Sequence, residues 1–321
     1  MIDATERVRF GETELMVSRL CQGTAFRHLD RSAESPVAEK VLRHCLDRGV
    51  NFFDSAIAYG WGGSESLLGK AIAGRRQEVV ICTKVTRHHL PREGADPEPA
   101  EFSKEFLASQ LEGSLARLGT DYVDLYLLHQ PDGVTTPDVI CAAMEALVQA
   151  GKIRYWGVSN HGAEAVEALL ACAEGCGSSA PAGVEDYYNI SGAYSSEGPS
   201  RVRGLEREMF PLLLRRRLGL LAFSPMDAGS LSPENHPDEG SPLAALCKVM
   251  DGVASKLGVT RSQVSVAWML SHPEVTCVLG GPESPEHVDE LLAGTRLVLP
   301  EEERLRLNRA SIEHSDRQAE N

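Results

Sequence analysis

The sequence predicts a (β/α)8 barrel of the TIM type, preceded by an N-terminal β-hairpin and completed by extra C-terminal helices. Short apolar runs alternate with longer amphipathic ones through eight repeats, and most connections between them are short. Polar clusters stand directly after the apolar runs. Asp54 and Tyr59 follow Val50-Asn51-Phe52-Phe53, Lys84 follows Val79-Val80-Ile81-Cys82-Thr83, and His129 follows Tyr122-Val123-Asp124-Leu125-Tyr126-Leu127-Leu128. Ionisable groups at the carboxyl ends of successive buried strands mark the active-site face of such a barrel.

In chain order, residues 8–15 read as a small hairpin ahead of the repeats. Strand-like 19–22 precedes helix-like 37–48, then 50–53 precedes 64–73, and 78–84 precedes 103–118. The run 122–128 is followed by 137–150, 153–158 by 163–172, and 182–188 by 205–216. Residues 218–223 lead to two helices, 242–257 and 261–271; 275–279 leads to 285–292, and 300–308 reads as one more helix. Thr260 and Gln263 have the spacing of a capping box, and Pro242 and Pro285 suit a first helical turn. No Pro/Ser-rich linker divides the pattern, so residues 1–321 read as a single domain. Two long connections, 86–101 and 224–241, fall at the carboxyl end of the barrel, where loops shape substrates.

Composition narrows the function classes. A 42% hydrophobic content with no long unbroken apolar run fits a soluble globular protein without a membrane span. Residues 1–20 lack a basic, apolar, small-residue leader, which makes a cytoplasmic location the expectation. The net charge of −14 argues against nucleic acid, whose phosphates it would repel. Cys21, Cys82 and Cys277 lie in strand-like runs as small apolar residues, and Cys172 with Cys176 forms the one close pair. No further ligands stand at metal-site spacing, so no metal is expected.

The four polar positions make a proton-donating centre. A phenol with a free pKa near about 10 is a poor acid at neutral pH until a cation stabilises its phenolate. Lys84 at the end of the next strand is suited to that, with Asp54 holding the ammonium in place and His129 polarising a carbonyl. None of these residues donates hydride, so the same reading implies a cofactor. A Schiff-base role for Lys84 in a lyase is the rival chemistry.

The chain resembles the aldo-keto reductases over nearly its whole length. The similarity rests on Asn51-Phe52-Phe53-Asp54-Ser55-Ala56-Ile57-Ala58-Tyr59-Gly60, on Lys84 and His129, and on Lys152-Ile153-Arg154-Tyr155-Trp156-Gly157-Val158-Ser159-Asn160, in the family's order. The resemblance implies that Tyr59 is the general acid/base, that Asp54 and Lys84 tune it, and that His129 orients the substrate carbonyl. It implies a nicotinamide cofactor, NAD(H) or NADP(H), bound without a Rossmann domain. Gly23 and Thr24 match the point of backbone approach, Ser159 and Asn160 the carboxamide pair, and Phe223 the aromatic that stacks on the nicotinamide. Ser224, Pro225 and the loop through Gly229 and Leu231 match the pyrophosphate contact, and Glu290 an adenine contact.

Two departures from the family pattern stand out. Glu185 occupies the place of a glutamine, and a carboxylate accepts from a carboxamide NH2 but cannot donate to its oxygen. In Leu279-Gly280-Gly281-Pro282-Glu283-Ser284-Pro285-Glu286-His287, relatives specific for NADPH carry Lys or Arg for the 2′-phosphate. Gly281 and His287 stand there instead, with Glu283 beside them, so NAD(H) is favoured. Arg27 or another distant base supplying the contact would reverse that preference. The expected substrate is a small aldehyde, ketone, sugar or alcohol, with Phe26, Trp61 and His129 as candidate contacts and Tyr126 and Trp156 as further aromatic surface. The alternative within the same fold is a cofactor-binding subunit that senses redox state. Oligomeric state is open.

Overall fold

The structure, a computed structural model, describes residues 7–89, 96–192 and 201–319. The hairpin is β1 (Arg7–Arg9) and β2 (Met16–Ser18), paired antiparallel. The barrel strands are β3 (Leu20–Gly23), β4 (Phe52–Asp54), β5 (Val80–Val85), β6 (Val123–Leu128), β7 (Ile153–Ser159), β8 (Gly183–Tyr187), β9 (Gly219–Phe223) and β10 (Cys277–Gly280). Each pairs in parallel with the next, and β10 pairs with β3 to close the ring. Around it lie α1 (Pro36–Asp47), α2 (Gly63–Ala71), α3 (Lys104–Leu118), α4 (Pro137–Gln149) and α5 (Ala163–Cys176). Between β8 and β9, α6 (Arg201–Gly204) runs through a π-turn at Leu205–Met209 into α7 (Phe210–Arg216). The chain continues with α8 (Pro242–Leu257), α9 (Arg261–Leu270), α10 (Pro285–Thr295) and α11 (Glu301–Ala319).

Strand parity divides the interior into two cores. Cys21, Phe52, Val80, Cys82, Leu125, Leu127, Leu221, Cys277 and Leu279 pack inside the ring with Phe10 of the hairpin. Residues of the other parity, among them Leu20, Phe53, Ile81, Tyr126, Leu220 and Val278, pack against the helices. Every residue of β5 and β6 is buried, as a strand covered on both faces requires. Parity also carries chemistry: two residues on from Phe52 is Asp54, from Cys82 is Lys84, and from Gly183 is Glu185.

The hairpin stoppers the amino end of the barrel. Phe10 is buried and meets Phe52 edge-to-face, with centroids 5.9 Å apart. It fits because two facing strand residues have no side chain: a Cβ at Gly183 or at Gly219 would lie 2.5 or 2.7 Å from the Phe10 ring.

The capping box at Thr260 and Gln263 forms, and Pro242 and Pro285 occupy first turns behind the caps Ser241 and Ser284. The strand expected over 275–279 begins at Cys277 and runs to Gly280. The helix expected to end at 308 instead continues to Ala319. The cause is polar packing: Ser311 donates to Ile190 O at 2.5 Å and accepts from Arg203 Nη2 at 2.7 Å, while His314 and Ser315 are buried. A face built from serines and a histidine leaves no apolar period to read. Part of the long connection over 86–101 lies outside the described residues.

Replacing Phe10 with Ala is expected to cost about 3–5 kcal/mol of unfolding free energy. Gly183→Ala, which forces overpacking against the same ring, is expected to cost about 1–3 kcal/mol. Denaturant unfolding measures both.

Candidate active site

At the carboxyl end of the barrel the side chains that face into the ring converge on one ammonium. Lys84 Nζ donates to Asp54 Oδ1 and Oδ2 at 2.5 and 2.6 Å, to Ser55 O at 3.1 Å and to Tyr59 Oη at 3.2 Å. Glu185 Oε1 lies 3.3 Å from the same nitrogen. Lys84 and Asp54 are fully buried. His129 follows β6 and meets Tyr59 edge-to-face at 5.6 Å between ring centroids. The four groups expected after three different strands are therefore brought together, with Lys84 touching Asp54 and Tyr59, and His129 touching Tyr59.

Local backbone aims Tyr59 into this group. Ser55 N donates to Cys82 O and Ile57 N to Lys84 O, which extends the β4–β5 pairing past the end of β4. The chain then turns through Gly60, Trp61 and Gly62, all with positive φ. Among the described residues, every non-glycine residue with positive φ except Arg217 lies in a loop at this end: Trp61, Asn160, Ser224, Asp227 and Ala228. Such backbone costs on the order of 1–3 kcal/mol per residue and concentrates at functional sites.

Burial sets the protonation states. It opposes the Lys84 charge, but Asp54 and then Glu185 more than offset it and hold the ammonium well above its usual pKa. Burial raises Asp54 despite Lys84, and raises Glu185 further, with the Asp54 charge adding to the effect. Tyr59 is also raised, by burial first, with Lys84 pulling the other way. The expected lowering by Lys84 is thus present but outweighed, and the free site holds a neutral phenol. Burial and the Lys84 charge push His129 down to about 3, which keeps the imidazole neutral. The donor atoms of Asp54, Cys82 and Glu185 lie within 4.8 Å of one another, and the cation among them is Lys84.

A cavity of about 860 Å³ opens above this centre. Asp54, Tyr59, His129, Asn160 and Glu185 line its floor, and Gly23, Phe223, Ser224, Pro225 and Gly229 line its wall. Gly280, Gly281, Glu283, His287 and Glu290 continue it between β10 and α10. Thr24 and Ser159 stand behind this lining: Thr24 Oγ1 donates to Asp54 O at 3.1 Å, and Ser159 Oγ accepts from Asn160 Nδ2 at 2.9 Å. Asn160 Nδ2 also donates to His129 O at 2.9 Å, tying the β6 and β7 loops together.

Several expected contacts fall elsewhere. Phe26 and Leu231 are buried in the outer core, where apolar packing claims them. Tyr126 and Trp156 face the helix layer, and Trp156 Nε1 donates to Ser179 O at 3.2 Å. Trp61 is 41% exposed and lies outside the cavity lining. In the 226–231 loop, the amides of Asp227, Gly229, Ser230 and Leu231 donate to carbonyls of the loop itself or of Ser224. That turn is held by its own hydrogen bonds.

Glu283 has a role that spacing did not reveal. Its Oε1 accepts from Arg27 N at 2.5 Å and His28 N at 3.0 Å, and its Oε2 lies 3.0 Å from His28 Nδ1. It pins the β3–α1 loop to the β10–α10 loop across the cavity. Arg27, His28, Arg31, Ser232, Glu234 and Ser262 also line the space. Except for Arg27, named only as a distant base, they carried no motif, because loops distant in sequence bring them together.

With this geometry established, the comparisons identify the family. The model of the aldo/keto reductase family matches residues 19–312, and the chain belongs to that family. It is 30% identical to the oxidoreductase YrpG of Bacillus subtilis, over 92% of this chain and 93% of the relative. It is 29% identical to a probable voltage-gated potassium channel subunit beta of Oryza sativa, over 87% and 88% of the two chains. The holo form of aldo-keto reductase AKR11C1 from Bacillus halodurans superimposes with a TM-score of 0.79 at 25% identity, over 95% of this chain and 96% of that one. Among the described residues, no helix is long and apolar enough to cross a membrane.

Lys84→Met leaves Asp54 and Glu185 buried without a cation, an arrangement that costs about 3–5 kcal/mol. Both carboxyls would then have folded-state pKa values raised further above their unfolded ones. The loss is expected to be smallest below about pH 4, where both are protonated folded or unfolded, and to grow as pH rises through the folded values. Urea unfolding of the wild type and the variant from pH 4 to 8 measures the difference.

Proposed function

We propose that this chain is a nicotinamide-dependent oxidoreductase that interconverts a carbonyl and an alcohol on a small aldehyde, ketone or sugar. The observation that carries the reading is Lys84 Nζ placed 3.2 Å from Tyr59 Oη and 2.5 Å from Asp54, on the floor of a cavity of about 860 Å³. The donors around the cavity suit a dinucleotide: the Phe223 face for a flat ring, Asn160 for a carboxamide, and Gly23 and Gly281 where close approach needs no side chain. When bound, that cofactor supplies or takes up the hydride.

The side chains handle the proton. Tyr59 keeps its proton at neutral pH and releases it to an oxygen that is becoming an alkoxide, a far stronger base than water. The phenolate left behind lies beside the Lys84 ammonium, which stabilises it. Asp54 keeps that ammonium charged and in place. His129, neutral, offers a hydrogen bond to the carbonyl oxygen without contributing a second charge.

For the cofactor, we infer that NAD(H) is used at least as well as NADP(H). Glu234, Glu283 and Glu290 line the cavity at the α9–α10 side, where a 2′-phosphate would meet carboxylates. Arg27, His28, Arg31 and His287 line the same cavity and are the basic groups that oppose this reading. A second reading, a cofactor-binding regulatory subunit, is favoured by the relative named as a potassium channel beta subunit. The complete Asp54, Tyr59, Lys84 and His129 set supports turnover over silent binding.

Tyr59→Phe is expected to lower kcat/KM by about 10²–10⁴-fold while leaving dinucleotide affinity within about twofold. Asp54→Asn is expected to lose less, because it acts through Lys84. Turnover on a panel of aldehydes, ketones, sugars and alcohols separates enzyme from sensor; binding without turnover on any of them supports the sensor. NADH and NADPH titrated side by side by fluorescence quenching test the cofactor preference. A preference for NADPH above about tenfold, or about 1.4 kcal/mol, would overturn it.

A further inference from the structure

The Lys84 centre holds one carboxyl more than its charge balance requires. Among the described residues Lys84 is the only group there that is cationic at neutral pH, and Asp54 answers it with two hydrogen bonds. Glu185 stands 3.3 Å from the ammonium through Oε1, its side chain is 4% exposed, and its Oε2 is buried with no hydrogen-bond donor among the described residues. Two ionised carboxylates here would leave an uncompensated negative charge in a dry interior.

Among the described residues, the groups around Glu185 offer no second cation. From β3, β5 and β10 come Cys21, Cys82 and Cys277, whose thiols burial holds neutral. From the loops after β4 and β6 come Tyr59 and His129, both neutral, and from β4 and β5 come Asp54 and Lys84. A carboxylate oxygen of Glu185 lies within 4.8 Å of one of Asp54, too close for both groups to carry an unscreened charge. Asp54 is the better served by Lys84, so the proton belongs to Glu185.

Glu185 also lines the cavity floor, where it is the β8 register partner of Ser159, beside Asn160 and Phe223. Given the nicotinamide function proposed above, the oxidised ring would bring a positive charge to that floor and the reduced ring would not. We propose that Glu185 is protonated in the free protein and releases its proton to solvent when the oxidised dinucleotide binds, whereas the reduced form binds without proton release. The O–H bond of the Glu185 carboxyl breaks, its electron pair stays on the carboxylate, and the proton goes to buffer. Glu185 thereby acts as a positioning residue that selects the cofactor's redox state in a pH-dependent way.

The test is calorimetry of NAD+ and NADH binding to the full chain, in two buffers of different ionisation enthalpy, from pH 6 to 8. The expected result is release of close to one proton with NAD+ and none with NADH. NAD+ affinity should then rise by nearly tenfold per pH unit while NADH affinity stays flat. Glu185→Gln should abolish both the release and the slope, and Tyr59→Phe should retain them. Equal proton release for both forms, or none for either, in the wild type overturns the inference and leaves the function standing. So does release that survives Glu185→Gln and vanishes in Tyr59→Phe, which would make the phenol the source. Failure of both dinucleotides to bind would overturn the function itself.

Discussion

The functional end of this barrel depends on one buried ammonium. Lys84 is fully enclosed, and its charge is tolerated because Asp54 takes it up through both oxygens while Tyr59 and Ser55 accept from it. A buried ion pair is at best neutral for stability compared with an apolar core, because both charges lose their water. Its retention in the interior of a sheet, where leucine and cysteine fill the layer below, therefore points to chemistry. Placing the cation where a phenolate would form is what a proton donor requires, and it is difficult to arrange on a mobile element.

The barrel supplies that rigidity through register. Asp54 pairs with Cys82 across β4 and β5, Lys84 with Leu127 across β5 and β6, and Ser159 with Glu185 across β7 and β8. Each polar residue thus sits a fixed two positions above an apolar one inside the ring. At the opposite end the same parity leaves Gly183 and Gly219 beneath the Phe10 ring. The two ends divide the labour: the amino end is packed for stability, and the carboxyl end holds strained turns and charge.

The loops make the centre into a site. Glu283 fastens Arg27 and His28 to the start of α10, and Arg261 holds Asp251 at 2.7 Å while donating to Ser232 O at 3.0 Å. These contacts draw the loops after β3, β9 and β10 around one cavity. They also explain how a carboxylate that reads in sequence as repulsion toward a phosphate has a structural partner of its own. A charge already shared with two amides and an imidazole still lines the cavity, but it is a weaker repellent than a free one.

The sequence by itself determined the eight strand–helix repeats, the capping box at Thr260, and Asp54, Tyr59, Lys84 and His129 as a set, because strand ends and side-chain parity are local properties of the chain. It left Phe26, Tyr126 and Trp156 open between the mouth and the core, because an aromatic after a strand looks the same whether it faces the mouth or the helix layer; the structure packs all three in the outer core. It stopped α11 early, because beyond residue 308 that helix is anchored by Ser311 and buries His314 and Ser315 instead of continuing an apolar stripe. Only the tertiary structure joined Glu185 to Lys84. The two are 101 positions apart on strands that are not neighbours, and they meet because closing the ring turns both side chains onto the same axis.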